Sequence, residues 1–146
     1  MNVLLVEDNP GDVRLTLEVF REANPSVQLH VANDGTEALA FLRRQGLYSQ
    51  SPRPHMIMLD LNMPKMDGRE LLTIIKKDAS LKLIPTIILT SSGAQEDIQA
   101  GYALQANSYL KKPADYAEFK DLVESISRYW LTRVILPQPN LFDPPI

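Results

Sequence analysis

The sequence predicts an α/β protein, a doubly wound parallel sheet in which five strands alternate with five helices. Three observations predict it. Short uninterrupted apolar runs occur at residues 3–6, 56–59 and 87–89, the mark of strands buried on both faces. Each run gives way, after a polar turn, to a segment with apolar residues at helical spacing. The 146 residues are 45% hydrophobic and 23% charged, which is the composition of an ordinary globular protein with about one domain's worth of core.

In chain order, Val3-Leu4-Leu5-Val6 is the first strand. Pro10 and Gly11 open a helix with Val13, Leu17 and Phe20 on one face, closed at Asn24-Pro25. Val27, Leu29 and Val31 alternate with polar residues, which marks a strand nearer the edge of the sheet. Asp34-Gly35-Thr36 starts a second helix, with Ala38, Leu39, Phe41 and Leu42, stopped at Gly46. Met56 to Leu59 is a third strand, ending at Asp60, and a helix follows Asp67-Gly68 with Leu71, Leu72, Ile74 and Ile75. Pro85 leads the fourth strand at 86–90, residues 95–105 read as a helix, and Ser108-Tyr109-Leu110 is a short fifth strand closed by Lys111-Lys112-Pro113. The last helix covers 116–131, its stripe formed by Phe119, Leu122, Val123, Ile126, Tyr129 and Trp130. One domain over 1–131 and a proline-rich extension over 132–146 result.

Composition excludes several classes. With 15 basic and 18 acidic side chains the net charge is −3, and there is no basic stripe for direct nucleic-acid binding. No apolar run approaches the roughly 18 residues of a membrane span, and the first residues lack the basic leader of a signal peptide. The absence of cysteine rules out disulfide and thiolate chemistry and suits a cytoplasmic setting.

Open parallel sheets bind ligands beyond the carboxyl ends of their strands. Glu7 and Asp8 follow the first strand, Asp60 follows the third, Thr90 ends the fourth and Lys112 follows the fifth. Three carboxylates crowded together would raise one another's pKa unless a cation sat among them, and hard oxygen ligands without His or Cys favour Mg²⁺. A carboxylate is also a competent phosphoryl acceptor, with a hydroxyl and an ammonium suited to bind the phosphoryl oxygens. Simpler roles exist for each residue: Asp8 before Asn9-Pro10 suits a helix start, Thr90 suits any strand, and Asp67-Gly68 reads as a helix entry. His30 and His55 have no partner at metal-ligand spacing and read as packed histidines.

Leu4-Leu5-Val6-Glu7-Asp8-Asn9, Leu59-Asp60-Leu61-Asn62-Met63-Pro64-Lys65-Met66-Asp67-Gly68, Leu89-Thr90 and Tyr109-Leu110-Lys111-Lys112-Pro113 together resemble the receiver domains of two-component response regulators. The resemblance covers residues 2–131 and implies a flavodoxin-like (βα)5 fold with strand order 2-1-3-4-5. It implies that Asp60 is the phosphoacceptor, that Asp8, Asp60 and the carbonyl of Asn62 ligate Mg²⁺, and that Glu7 acts mostly through water. Thr90 and Lys112 would contact the phosphoryl group, Thr90 and Tyr109 would form the switch pair, and Lys112-Pro113 would be a cis peptide. The phosphoryl donor would be a histidine kinase, and the protein would catalyse nothing beyond its own phosphorylation and dephosphorylation. Glu7 departs from the commoner Asp, and Ala114 stands where many members carry a larger apolar residue.

Gly101 inside the fourth helix has two readings, neutral wear or a segment that shifts on phosphorylation. Tyr129, Trp130, Leu131, Val134, Ile135 and Leu136 offer apolar surface, either folded back on the core or used for self-association. This stretch and the long connection 46–54 are similar to the single-domain regulators associated with cyanobacterial phytochromes, which implies a homodimer and a phytochrome-type kinase as partner. With only ten residues after 136, output is expected to run through protein contacts or onward phosphotransfer and not through a DNA-binding domain. Two rivals differ in class: an aspartate-nucleophile phosphatase, disfavoured because Asn62 stands where its second Asp would be, and a pseudo-receiver scaffold that is never phosphorylated.

Overall fold

The computed structural model describes residues 1–139. Five strands, Asn2–Val6 (β1), Gln28–Ala32 (β2), Met56–Leu59 (β3), Thr86–Thr90 (β4) and Ser108–Lys111 (β5), pair in parallel in the order β2-β1-β3-β4-β5. Five helices connect and follow them: Pro10–Ala23 (α1), Gly35–Leu42 (α2), Gly68–Lys77 (α3), Gln95–Ala103 (α4) and Tyr116–Trp130 (α5). Fold class, strand order and the edge position of β2 agree with the sequence expectation. Short 3-10 turns at Gly46–Tyr48 and Leu81–Leu83 were not foreseen, and α2 stops at Leu42, four residues before Gly46.

Alternation within the apolar runs divides the core in two. Leu4, Val6, Ile57, Leu59 and Ile88 face α2 and α3, meeting Phe41, Leu71, Leu72 and Ile75. Val3, Leu5, Met56, Met58, Ile87 and Leu89 point the other way, onto Leu15, Val19 and Phe20 of α1 and Phe119, Val123 and Ile126 of α5. A strand with both faces covered has no polar side, which is why these runs lack the usual alternation. Asparagine or aspartate side chains start four helices: Asn9, Asp34, Asp67 and Asp115 each accept a backbone N–H three residues on. Helix α4 differs. Its N-cap is Ala94 without a side-chain bond, and Gly101 is its one fully buried residue.

Gly101 is not neutral wear. A Cβ there would come within 2.7 Å of the Ile88 methyl and 3.1 Å of the Tyr109 ring, so glycine lets α4 lie close on β4 and β5. Past α5 the chain turns back: the backbone N–H groups of Arg133 and Val134 both donate to the Tyr129 carbonyl. Leu136 is then buried in the α1/α5 core layer, with Trp130, Leu131 and Val134 partly packed on it, while Tyr129 and Ile135 stay exposed. The apolar group read as one association surface is thus split between core and solvent. Residues 140–146 of the extension lie outside the described residues.

His30 and His55 are structural. His30 Nε2 bonds Asn2 Oδ1 at 2.9 Å, and His55 Nδ1 accepts the Asn2 N–H at 3.1 Å. Burial lowers the pKa of both. No cis peptide occurs among the described residues, so Lys112–Pro113 is trans, contrary to expectation, as trans is the intrinsically favoured form of an X–Pro bond. The packing yields a direct test. Leu72→Ala, with a wholly buried side chain, should cost about 2–5 kcal/mol in urea unfolding. Leu47→Ala, 99% exposed on the connection between α2 and β3, should stay within about 0.5 kcal/mol of the parent.

Candidate functional site

The register of the sheet brings the strand ends together. Val6 is paired with Leu59, so Glu7 and Asp60 leave adjacent strands at the same level, and the Asp60 N–H donates to the Val6 carbonyl. On the other flank the Lys112 N–H donates to the Thr90 carbonyl at 2.7 Å, holding that lysine at the end of β5. The Lys112 ammonium then reaches back over the sheet edge. It donates to Glu7 Oε2 at 2.7 Å, Asp12 Oδ2 at 2.9 Å and Asp60 Oδ2 at 3.3 Å. Lys112, Glu7 and Asp60 are buried, whereas Asp8 is exposed at the mouth.

The structure therefore assembles Glu7, Asp8, Asp60, Thr90 and Lys112 at one end of the sheet. It also supplies Asp12, in the first turn of α1, which sequence reading missed because it counted only residues directly following strands. A signal was present: Asn9 caps the helix through the Asp12 N–H, and a cap places the residue three positions on at the helix mouth. Thr90 is wholly buried, and its hydroxyl lies 3.5 Å from the Asn62 side-chain amide. The Asn62 backbone N–H donates to Asp60 Oδ1 at 3.2 Å, which fixes the carboxylate's orientation.

The loop after β3 is held by close backbone packing. A Cβ on Gly68 would fall 2.3 Å from the Asp60 carbonyl oxygen and 2.7 Å from Leu61 Cα, so only glycine lets α3 start this near the acidic residue. Next to it, Arg69 pairs with Asp97 of α4, and Asp97 accepts the Ser92 hydroxyl. Tyr109 joins this network on the far side, its hydroxyl donating to the Ser92 carbonyl at 2.8 Å and its backbone N–H to the Tyr102 hydroxyl at 3.2 Å. Arg69, Asp97 and Ser92 were not singled out from sequence.

The electrostatics are those of excess negative charge in a dry place. Burial pushes the Glu7 carboxyl up to about 7, aided by the Asp60 charge, while the Lys112 hydrogen bond and charge and the Asn9 N–H pull it down. Burial works against the Lys112 ammonium, but hydrogen bonds to Glu7 and Asp12 and the charges of Glu7 and Asp60 outweigh it, so its pKa is raised and it stays protonated. Carboxylate oxygens of Glu7, Asp8 and Asp60 all lie within 4.8 Å of one another. An all-oxygen donor set with surplus charge fits a hard divalent cation.

A parallel βαβ sheet that gathers acidic residues, a hydroxyl and a lysine at its carboxyl edge defines a receiver, and the chain belongs to the response regulator receiver domain family, whose pattern matches residues 3–124. Among curated relatives it is 44% identical over 135 residues to the response regulator Rcp1 of Synechocystis sp., covering 92% of each chain. It is 38% identical over 131 residues to a probable methanogenesis regulatory protein, FilR2, of Methanothrix harundinacea, covering 88% of this chain and 83% of the relative. Among solved structures, the Mn²⁺-bound form of Rcp1 superposes with a TM-score of 0.91 at 44% identity, covering 94% of this chain and 99% of that one. The phosphorylated cyanobacterial phytochrome response regulator RcpA gives 0.91 at 40% identity, covering 94% and 98%. No helix among the described residues is long and apolar enough to cross a membrane.

The raised Glu7 pKa has a signed consequence. A carboxyl whose folded pKa lies above its unfolded value of 4.5 favours the folded state when protonated and loses that contribution as pH rises toward about 7. With chelator present, the stability gained by Glu7→Gln over the parent should therefore grow between pH 5 and pH 7. Urea unfolding at several pH values reads it, and a constant or shrinking difference would refute the assignment.

Proposed function

We propose that this receiver takes a phosphoryl group from a histidine kinase onto a carboxylate oxygen of Asp60, in a reaction that needs Mg²⁺. The observation that carries the reading is the Lys112 ammonium held against Asp60 and Glu7 at the mouth of the sheet. Glu7, Asp8 and Asp60 would hold the ion, with the Asn62 carbonyl as a further donor. When bound, Mg²⁺ keeps the carboxylates ionised and neutralises charge on the incoming phosphoryl group.

The chain's own groups do the rest. An Asp60 oxygen attacks phosphorus while the donor's phosphorus–nitrogen bond breaks and the imidazole leaves with the electron pair. Lys112 pairs with one phosphoryl oxygen as a point charge, and the Thr90 hydroxyl donates to another. Movement of Thr90 toward the phosphoryl group would release Tyr109 to move inward, and the surface around α4, β5 and α5 would change, a reading supported by the bond of the Tyr109 hydroxyl to the Ser92 carbonyl ahead of α4. The protein acts as a signal carrier in the cytoplasm and catalyses only its own phosphorylation and dephosphorylation. Its domain is taken as 1–131 and its extension as 132–146. Similarity to Rcp1 and RcpA supports a phytochrome-type kinase as the phosphoryl donor.

Intact-mass analysis after acetyl phosphate treatment tests the chemistry. One phosphoryl adduct should appear with Mg²⁺, be lost with chelator and be lost in Asp60→Asn, and an autophosphorylated phytochrome-type kinase should donate as well. A folded protein that takes no adduct, or an Asp60→Asn protein that keeps it, would overturn the reading in favour of a scaffold or another acceptor.

The chain also forms a homodimer in this reading, through the exposed Tyr129 and Ile135 with the flanking Trp130, Leu131 and Val134, whereas Leu136 serves the core. The support is a pair of exposed apolar side chains, Ile135 at 96% and Tyr129 at 59%, the latter edge-on to the partly packed Trp130. In sedimentation, Ile135→Asp should weaken self-association about tenfold or more with unfolding unchanged. A parent protein that stays monomeric at high concentration would dispose of the dimer.

A further inference from the structure

The ammonium of Lys112 has three N–H donors and three carboxylate partners. Two of the contacts, to Glu7 at 2.7 Å and to Asp12 at 2.9 Å, are short, and the contact to Asp60 at 3.3 Å is the long one. Asp12 is not a member of the Glu7–Asp8–Asp60 group that can share a cation. It belongs to a different element, the first turn of α1, whereas Glu7 and Asp60 follow strands β1 and β3. Its backbone is fixed independently of its carboxylate: the N–H donates to Asn9 Oδ1, and the carbonyl accepts the Thr16 hydroxyl at 2.8 Å. The carboxylate is therefore free of a capping duty and committed to Lys112.

We infer that Asp12 is a positioning residue of the phosphorylation site, anchoring Lys112 on the α1 side so that the ammonium neither closes fully on Asp60 nor competes with a divalent cation for the acidic group. This rests on the receiver reading of Asp60 and deepens it. With the Asp12 carboxylate in place, the long bond to Asp60 is the one given up when a phosphoryl oxygen arrives, while Glu7 and Asp12 keep the lysine in place. Without that carboxylate, the ammonium falls back on Glu7 and Asp60 and the cation must displace it from both. Charge-assisted hydrogen bonds of this kind are strong enough to decide where a lysine rests.

The test is a double-mutant cycle on Asp12 and Lys112, read by calorimetric titration of the whole chain with MgCl2 and by urea unfolding in chelator. Asp12→Asn keeps the size of the side chain and the start of α1. It should weaken Mg²⁺ binding about three- to tenfold, and the same change in a Lys112→Met background should alter it by less than about twofold. Urea midpoints in chelator should likewise be non-additive for the pair. Asp12→Glu should restore part of the loss. Unchanged Mg²⁺ affinity in Asp12→Asn would overturn the proposal. So would an equal loss without Lys112, since Asp12 would then act on the ion directly or through the fold. None of these readouts uses a phosphoryl donor, so failure of the parent protein to take an adduct would count against the receiver chemistry alone.

Discussion

One buried ammonium organises the carboxyl end of this sheet. Lys112, Glu7 and Asp60 are each nearly excluded from water, and a buried charge left without a partner is costly, about 3–5 kcal/mol when one member of a pair is removed. The arrangement works because parallel pairing puts all strand ends at one edge. β1 and β3 deliver the carboxylates side by side, and β4 holds Lys112 by a backbone bond so that its chain can span the gap. Antiparallel neighbours would send those residues to opposite edges. The ammonium does not balance the site by itself, and burial, aided by the neighbouring Asp60 charge, holds the Glu7 carboxyl above its ordinary pKa.

Around this centre the loops are set by contacts too close for ordinary side chains. Gly68 brings the start of α3 against the Asp60 carbonyl, and the Asn62 N–H orients the carboxylate. A polar path then leads away from the site, from Arg69 on α3 to Asp97 on α4, to Ser92 and to Tyr109 on β5. The start of α3, packed against the Asp60 backbone, is therefore joined to α4 and β5 by specific bonds.

What could be read in the sequence was whatever depends on local pattern. The doubly buried strands announce themselves as Val3-Leu4-Leu5-Val6 and Met56-Ile57-Met58-Leu59, and residues placed just after strands of a parallel sheet fall at one edge by topology, which is why Glu7, Asp8 and Asp60, and Lys112 after the half-buried β5, were legible. What could not be read depends on atoms far apart in the chain. Asp12 looks like any helix-start residue until Lys112, a hundred positions on, is seen to bond it. Gly101 looks like a weak spot in a helix until the Ile88 and Tyr109 side chains are found against it. The apolar stripe from Tyr129 to Leu136 gave no hint of its turn, so the inward Leu136 and the outward Ile135 could not be told apart. The trans Lys112–Pro113 bond shows the same limit, for nothing in a dipeptide states its isomer.

The sparse anchoring of α4 has a thermodynamic consequence of its own. Because that helix buries only one glycine fully, with Ile98 and Ala100 half-buried, detaching it exposes less apolar surface than detaching any other helix of the fold. Its local opening therefore carries a small heat capacity change and a free energy well below that of global unfolding. Such a unit responds to ionic strength more than to temperature. Opening of α4 would uncover only Ile88 and Tyr109 beneath Gly101, so its backbone amides should exchange with solvent sooner than those of the strands beneath them.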